Sequence, residues 1–125
     1  MSDTVSSPKT LKVTVPEGIV SPAELLRVLA DGLLFPSYFG HNWDALFDCL
    51  CDFTWLEDQT RIVVCHRDVP ELPPPHRDTY LKVLSDAVDS WRGLPREHTL
   101  EVEFPDAGLT SWINGRSARE DEKPA

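Results

Sequence analysis

The chain has 125 residues and a formal net charge of −9, because 12 Lys and Arg stand against 21 Asp and Glu. This length suits one compact domain. The excess of acid disfavours direct binding to nucleic acid, since proteins neutralise phosphates with clustered Lys and Arg. Residues 28–60 contain neither of those residue types. A basic protein is therefore the more plausible partner.

Neither a signal peptide nor a membrane span is visible in the sequence. The segment from Met1 to Thr10 is polar, and no stretch is long and apolar enough to cross a bilayer. We therefore expect a cytoplasmic protein without membrane contact. Three cysteines, Cys49, Cys51 and Cys65, are an odd number for a chain without a secretory signal, so reduced thiols are expected.

The first predicted elements are a strand and a helix. From Leu11 to Val15 apolar and polar residues alternate, as in a half-buried strand. Ser21 then stands three residues before Glu24 and directly before Pro22, which is the pattern of a capping box with proline at the first helical position. Apolar residues at helical spacing follow, and they predict a helix over residues 22–31.

A second helix is predicted after a loop that contains Pro36 and Gly40. Asn42 can cap this helix, which we place from Trp43 to about Asp52. Its predicted apolar stripe consists of Trp43, Leu46, Phe47 and Leu50.

The rest of the chain predicts a strand, a long helix and a last strand. Ile62–Cys65 is a short apolar run rich in β-branched residues, typical of a central strand covered on both faces. After the proline-rich connection at 70–75, helical periodicity predicts a helix from about His76 to Trp91. Alternation from Leu100 to Phe104 then predicts a strand that Pro105 ends.

Strands separated by helices predict an α/β fold, here a small three-stranded parallel sheet packed by helices with right-handed connections. We expect one domain over residues 10–105, with a flexible N-terminal extension at 1–9. Residues 106–125 are interpreted as a C-terminal extension, largely disordered from about residue 114 because it has little apolar surface to bury.

Three acids of the second helix carry the main functional signal. Asp44, Asp48 and Asp52 recur every four residues, which would place three carboxylates in one row away from the apolar stripe. Like charges at this spacing cost an isolated helix about 0.2–0.5 kcal/mol per pair, and a positively charged partner would remove that cost. An ordinary solvated face explains such acids more often, and the helix dipole favours Asp44 in the first turn.

The segment from Phe35 to Leu50, FPSYFGHNWDALFDCL, closely resembles the signature of the barstar family: a proline, Tyr-Tyr/Phe-Gly, Asn-Leu/Trp-Asp-Ala-Leu and Asp-Cys/Ala-Leu. The resemblance is strongest from Phe35 to Cys51 and extends, by element order, from about Leu11 to Phe104. It implies a barstar-like fold and a protein that is not an enzyme and needs no cofactor or metal. Such proteins inhibit guanyl-preferring microbial ribonucleases by covering the active site.

The resemblance also implies roles for individual residues. Asp48 matches the family's dominant carboxylate, which occupies the phosphate position of the nuclease, and Asp44 matches a second interfacial acid. Tyr38 matches an aromatic residue that packs on the catalytic histidine of the nuclease. With Asp52 from the acidic row and Asp86 from helical phase alone, the predicted partner-binding residues are Tyr38, Gly40, Asn42, Asp44, Phe47, Asp48, Cys51, Asp52 and Asp86.

The expected partner is a basic, extracellular-type ribonuclease or nuclease toxin, bound one to one by a protein that is monomeric when free. Relatives often have Thr at the position of Cys51, and the proline-rich insertion and polar ends also depart from the family pattern, so the target nuclease stays open. The alternative hypothesis is a barstar-like immunity or interaction module that uses the same surface for a different basic protein, such as a secreted toxin.

Other chemistry has weaker support. Cys49 or Cys51 with His41 could form a nucleophile and base, but residues two apart on a helix do not face each other, and no third orienting group is evident. A zinc site lacks both Cys-x-x-Cys and His-x-x-x-His spacing. Trp43 and Trp55 could serve as interface anchors or as core residues, and their spacing does not decide between the two.

Overall fold

Three parallel strands form one sheet in the order β1-β2-β3. The computed structural model describes residues 9–92 and 98–114. The elements are β1 (Lys9–Val15), α1 (Pro22–Gly32), α2 (Trp43–Leu50), β2 (Thr60–His66), α3 (His76–Trp91), β3 (His98–Glu103) and α4 (Ala107–Asn114). The predicted α/β class, the parallel sheet and the central position of the second strand are confirmed.

The register of the sheet explains the alternating apolar pattern. Val13 pairs with Val64, and Val64 pairs with Val102, so one residue from each strand forms a row across the sheet. All three valines are buried. Because successive side chains of a strand point to opposite faces, this row puts the apolar half of each strand into the core.

The helix α1 begins at the predicted residue and ends one residue later than predicted, at Gly32. The Ser21 hydroxyl accepts a 3.3 Å hydrogen bond from the backbone N–H of Glu24, and Pro22 occupies the first helical position. At the other end, a methyl group added to Gly32 would collide with the side chain of Val13. Glycine at this position therefore lets the end of α1 lie close against β1.

Two tryptophans attach α2 to α3, one at each end of α2. The indole Nε1 of Trp43 donates to Nδ1 of His76 at 3.1 Å. The indole Nε1 of Trp91 donates to the carbonyl oxygen of Leu50 at 2.7 Å, and this second bond is buried. The start and the end of α2 are thus both fixed against the longer helix.

The fourth helix was not predicted. Asp106 caps α4, since its carboxylate accepts hydrogen bonds from the backbone N–H groups of Gly108 and Leu109. Ile113 of α4 is fully buried in the core. Helix α4 thus lies within the segment that we expected to be a C-terminal extension, residues 106–125. Of the two expected extensions, 1–9 and 106–125, residues 1–8 and 115–125 lie outside the described residues.

Helix α4 covers part of the sheet edge formed by β3, because its side chains bond the backbone there. The side chain of Asn114 bonds both the N–H and the carbonyl oxygen of Val102, at 3.1 and 2.6 Å. The hydroxyl of Thr110 does the same for Phe104, at 2.8 and 3.0 Å. These bonds take the place of a further strand, which blocks pairing of this part of β3 with another chain.

Candidate partner-binding surface

In the loop before α2, Tyr38 points outward and the following aromatic residue, Phe39, points inward. The backbone N–H of Phe39 donates to the carbonyl oxygen of Pro36 at 3.0 Å, which closes a turn. Phe39 is buried and its ring lies 4.9 Å from that of Phe35. Tyr38 points away from this aromatic cluster and is 72% exposed, so its large ring is available to a partner.

Asn42 joins the loop to the helix. Its side-chain oxygen accepts a 2.7 Å hydrogen bond from the backbone N–H of Ala45, as an N-cap should. Its side-chain nitrogen lies 3.5 Å from the carbonyl oxygen of Gly40. A side-chain carbon added at Gly40 would meet only ordinary contacts inside the protein. The fold itself therefore does not require glycine there, whereas close approach of a partner would.

The exposed face of α2 carries two acids and one aromatic ring. Asp44 and Asp48 are exposed, and Phe47 is 36% exposed. The prediction of the apolar stripe is wrong at one position. Phe47 lies outside the core, and Cys49 is buried instead. The residues of α2 that face the core are Leu46, Cys49 and Leu50.

The two helical carboxylates are exposed and unpaired among the described residues. Within the described residues, Asp44 and Asp48 take part in no ion pair and their carboxylates in no hydrogen bond. They lie about one helical turn apart, and no ion pair offsets their mutual repulsion. The exposed face of α2 therefore presents two unpaired carboxylates to solvent, where a positively charged group could bind them.

A groove between α2 and α3 adds Asp86 to the same surface. Its volume is about 290 Å³, and its walls include Asp44 and Phe47 from α2 and Asp86 from α3. The structure thus brings Asp86, which sequence reasoning located only by helical phase, next to the acidic helix. Lys82 also lines the groove, and its Nζ lies 2.9 Å from a carboxylate oxygen of Asp86. The four-residue spacing of these two residues is the signal that could have revealed the pair.

The last two predicted site residues, Cys51 and Asp52, directly follow α2. The helix ends at Leu50 instead of Asp52, so Asp52 lies outside the helix that carries Asp44 and Asp48. Its carboxylate accepts a 3.3 Å hydrogen bond from the backbone N–H of Thr54. Cys51 is half-buried and its sulfur accepts a hydrogen bond from the hydroxyl of Ser90 on α3. Both residues therefore have local structural roles at the end of α2.

The thiols offer little support for nucleophilic chemistry. Cys49 is buried, and burial, followed by the negative charges of Asp52 and Asp48, raises its pKa to about 11. The ring of His41 packs on Phe39 with a centroid distance of 4.7 Å. Across residues 9–92 and 98–114, no three His, Cys, Asp or Glu side chains converge as metal ligands would.

The structure shows how Trp55 and Trp43, whose roles the sequence left undecided, are packed. The indole of Trp55 donates to the carbonyl oxygen of Leu33 at 3.3 Å and packs against Phe53 in the core cluster. Trp43 is half-buried, packs against Tyr80 and also lines the groove beside Asp44. Trp55 is thus a structural residue, and Trp43 supports the candidate surface from beneath.

Comparison with known proteins identifies the family. The family model described as Barstar (barnase inhibitor) matches residues 12–104, which include the whole of the candidate surface from Tyr38 to Asp86. A search of curated proteins gives no match. In the part of the chain that the structure describes, no helix has the length and apolar character needed to cross a membrane. Since the matched segment spans well over half of the sequence, this chain belongs to the barstar family.

Proposed function

We propose that this protein inhibits a microbial guanyl-specific ribonuclease by covering the active site with α2 and the preceding loop. The observation that carries the proposal is the exposed pair Asp44 and Asp48, whose carboxylates form no ion pair among the described residues. A family described as a barnase inhibitor supplies the class of partner. The protein would act as a cytoplasmic binding protein and not as an enzyme.

Asp48 is the residue that we assign to the phosphate position of the nuclease. An enzyme that cleaves RNA binds a phosphate with cationic and hydrogen-bonding side chains, and a carboxylate presents similar charge and acceptor geometry. Asp48 lies in the middle of α2, on the face that carries Asp44 and Phe47. In a closed complex its carboxylate would be buried against Arg and His, where charge-assisted hydrogen bonds are strongest.

The other surface residues surround this acid. Tyr38 would supply apolar contact area at one side, and Asp44 and Asp86 would meet further cations across the groove. Gly40 and Asn42 would let the nuclease approach the loop closely. Cys51 and Asp52, which lie at the end of α2, would contribute only at the margin of the contact.

A helix that is already ordered lowers the cost of binding. The N-cap at Asn42 and the tryptophan bonds at both ends of α2 hold the acids in place before the partner arrives. Little conformational freedom then remains to be lost in the complex. The net charge of −9 would also attract a basic nuclease from a distance, and this attraction would weaken as salt is added.

A cleavage assay tests the proposal. A panel of guanyl-specific microbial ribonucleases is assayed on a fluorogenic RNA with the wild-type protein, the Asp48→Asn variant and the Asp31→Asn variant. Asp31 is an exposed acid on α1, so its change matches the loss of charge without touching the candidate surface. We expect stoichiometric inhibition by the wild type and by Asp31→Asn, and much weaker inhibition by Asp48→Asn.

Truncating one member of a buried charge pair at an interface costs about 2–5 kcal/mol, a range that includes measurements on the barnase–barstar complex itself. A loss of at least about thirtyfold in affinity is therefore expected for Asp48→Asn. Equal inhibition by Asp48→Asn and the wild type would refute the assigned site. Absence of inhibition throughout the panel would favour an immunity module directed at a different basic protein.

A further inference from the structure

We propose that the ion pair between Lys82 and Asp86 is an autoinhibitory contact, in which Lys82 holds the carboxylate that a cation of the nuclease would otherwise bind. This inference rests on the proposed function and adds a regulatory element to the same surface. In the free protein, Nζ of Lys82 lies 2.9 Å from a carboxylate oxygen of Asp86. A nuclease that uses Asp86 must therefore displace a cation of this chain.

Lys82 lies within the acidic part of the candidate surface. The groove between α2 and α3 is lined by Asp44 from α2 and by Lys82 and Asp86 from α3, and Lys82 is the sole cation among the described residues that line it. Phe47 and Trp43 supply apolar surface to the same groove. A nuclease cation that approaches Asp44 and Asp86 therefore meets a like charge, which opposes binding.

The ion pair contributes little to the fold, so a structural role does not explain the lysine. The side chains of Lys82 and Asp86 are 75% and 46% exposed, and exposed ion pairs stabilise proteins only weakly. The two residues also stand in the less favourable order for a helix, because the acid follows the cation along α3. Such a pair can open, since the lysine stem is flexible and water solvates the free ammonium group.

The competition affects the partners that use α3. A nuclease whose cation reaches Asp86 has to break the ion pair and bring two positive charges close together. A nuclease that contacts only Asp44 and Asp48 on α2 leaves the ion pair closed. Repulsive elements of this kind lower the affinity for some partners more than for others. Lys82 therefore determines how much the carboxylate of Asp86 can contribute to binding.

Dissociation constants of charge variants test the proposal. The probe is the panel ribonuclease that binds the wild-type protein most tightly, and binding is measured by surface plasmon resonance at low ionic strength, where charge effects are largest. The variants are Lys82→Gln, Asp86→Asn, the double variant that combines them, and Lys12→Gln. Lys12 is an exposed lysine of β1 that does not line the groove, so Lys12→Gln removes the same charge elsewhere.

We expect Lys82→Gln to tighten binding by roughly threefold or more, and by more than Lys12→Gln, which only strengthens the long-range attraction. The gain from Lys82→Gln should shrink when Asp86 is also replaced, because the lysine then has no carboxylate to hold. This double-variant comparison separates competition for Asp86 from simple repulsion between Lys82 and the nuclease. Thermal denaturation of each variant separates an effect on binding from loss of folding.

Equal gains from Lys82→Gln and Lys12→Gln, or a gain that is undiminished when Asp86 is replaced, would overturn the autoinhibitory contact. Weaker binding by Lys82→Gln would also overturn it, because Lys82 would then pair with an acid of the nuclease. If Asp48→Asn weakens binding in any of these cases, the proposed function stands without this inference.

The opposite result separates the two claims as well. If Lys82→Gln gives the expected pattern and Asp48→Asn has no effect, the ion pair is autoinhibitory and the role assigned to Asp48 is wrong. Absence of binding throughout the panel would overturn the proposed function and this inference together.

Discussion

The indole of Trp91, in the last turn of α3, donates a buried 2.7 Å hydrogen bond to the carbonyl oxygen of Leu50, the last residue of α2. The final carbonyl groups of a helix have no partner within the helix, so this bond satisfies one of them. It also fixes where α2 ends. The acidic face of α2 therefore depends on a residue that does not belong to that face.

Replacement of Trp91 by Phe should destabilise the protein. The change removes the donor and leaves the carbonyl oxygen of Leu50 buried without its partner, which costs about 1–3 kcal/mol. Urea unfolding followed by circular dichroism measures the loss. Trp112→Phe is the matched comparison, because the side chain of Trp112 is 44% exposed whereas that of Trp91 is buried, so the same change should cost less there. Equal loss of stability in the two variants would contradict the role given to Trp91.

The cap of α2 gives a second prediction. Asn42→Ala removes the acceptor for the backbone N–H of Ala45 and should lower the free energy of unfolding by about 1 kcal/mol. Asn42→Asp keeps an acceptor and should restore most of that stability. Denaturant titrations of the two variants provide the comparison. If Asn42→Asp is as unstable as Asn42→Ala, the hydrogen bond to Ala45 is not what the side chain contributes.

His66 should make stability depend on pH. Its Nδ1 donates to the carbonyl oxygen of Glu103 at 2.9 Å, and its Nε2 accepts from the Tyr80 hydroxyl at 2.7 Å, which fixes a neutral ring. Burial lowers the pKa of His66 from 6.5 to about 4, outweighing the opposite effects of the Glu103 carbonyl and Asp68. Between these values the unfolded chain binds a proton that the folded protein excludes.

The stabilisation from neutral His66 is therefore complete above pH 6.5 and is lost as the pH falls towards 4. The expected loss by the lower pH is about 3 kcal/mol. Denaturant midpoints measured across this range should fall steeply for the wild type. His66→Gln, which cannot titrate, should be less stable at neutral pH but show a shallower decline. Parallel curves for the two proteins would show that His66 is not the titrating group.

Cys49 should be unreactive in the folded protein. Its thiol is buried and its pKa is raised to about 11, so almost no thiolate forms at neutral pH. Alkylation with iodoacetamide, followed by mass spectrometry of the peptides, should modify Cys49 only after denaturant is added. The half-buried Cys51 and Cys65 serve as internal comparisons. Rapid labelling of Cys49 in the native protein would reopen the possibility of thiol chemistry on α2.

The sequence predicted the elements whose signals are local. The first helix follows from Ser21, Pro22 and Glu24, and the long helix starts and ends at His76 and Trp91 as its periodicity indicates. The three strands were recognised because their alternating or continuous apolar residues match the sides that the sheet buries.

The end of α2 and the whole of α4 depended on tertiary contacts. The helix stops at Leu50, and the chain then reaches Phe53, whose backbone has a positive φ of 55° and whose ring is fully buried. The segment of α4 contains Gly108 and polar residues of modest helix propensity. Its stability comes from Asp106 and from the bonds of Asn114 to β3, which the spacing of residues cannot reveal.

The sequence predicted which residues belong to the candidate site better than how these residues are arranged in space. The family signature located Tyr38, Asp44 and Asp48, all of which are exposed in the structure. It does not cover Lys82 and Asp86, whose four-residue spacing on α3 predicts their ion pair but whose place at the edge of the groove depends on how α3 lies beside α2. The positive charge of Lys82 within an acidic surface is a feature that a partner must accommodate.

Competition for the nuclease active site tests the central claim most directly. A guanyl-specific ribonuclease that this protein inhibits is titrated with the protein in the absence and in the presence of saturating guanosine monophosphate. If Asp48 and its neighbours occupy the phosphate position, the nucleotide should raise the apparent dissociation constant by a factor of one plus the ratio of its concentration to its own dissociation constant, and bound protein should displace it. An unchanged dissociation constant would show that the acidic face of α2 binds elsewhere.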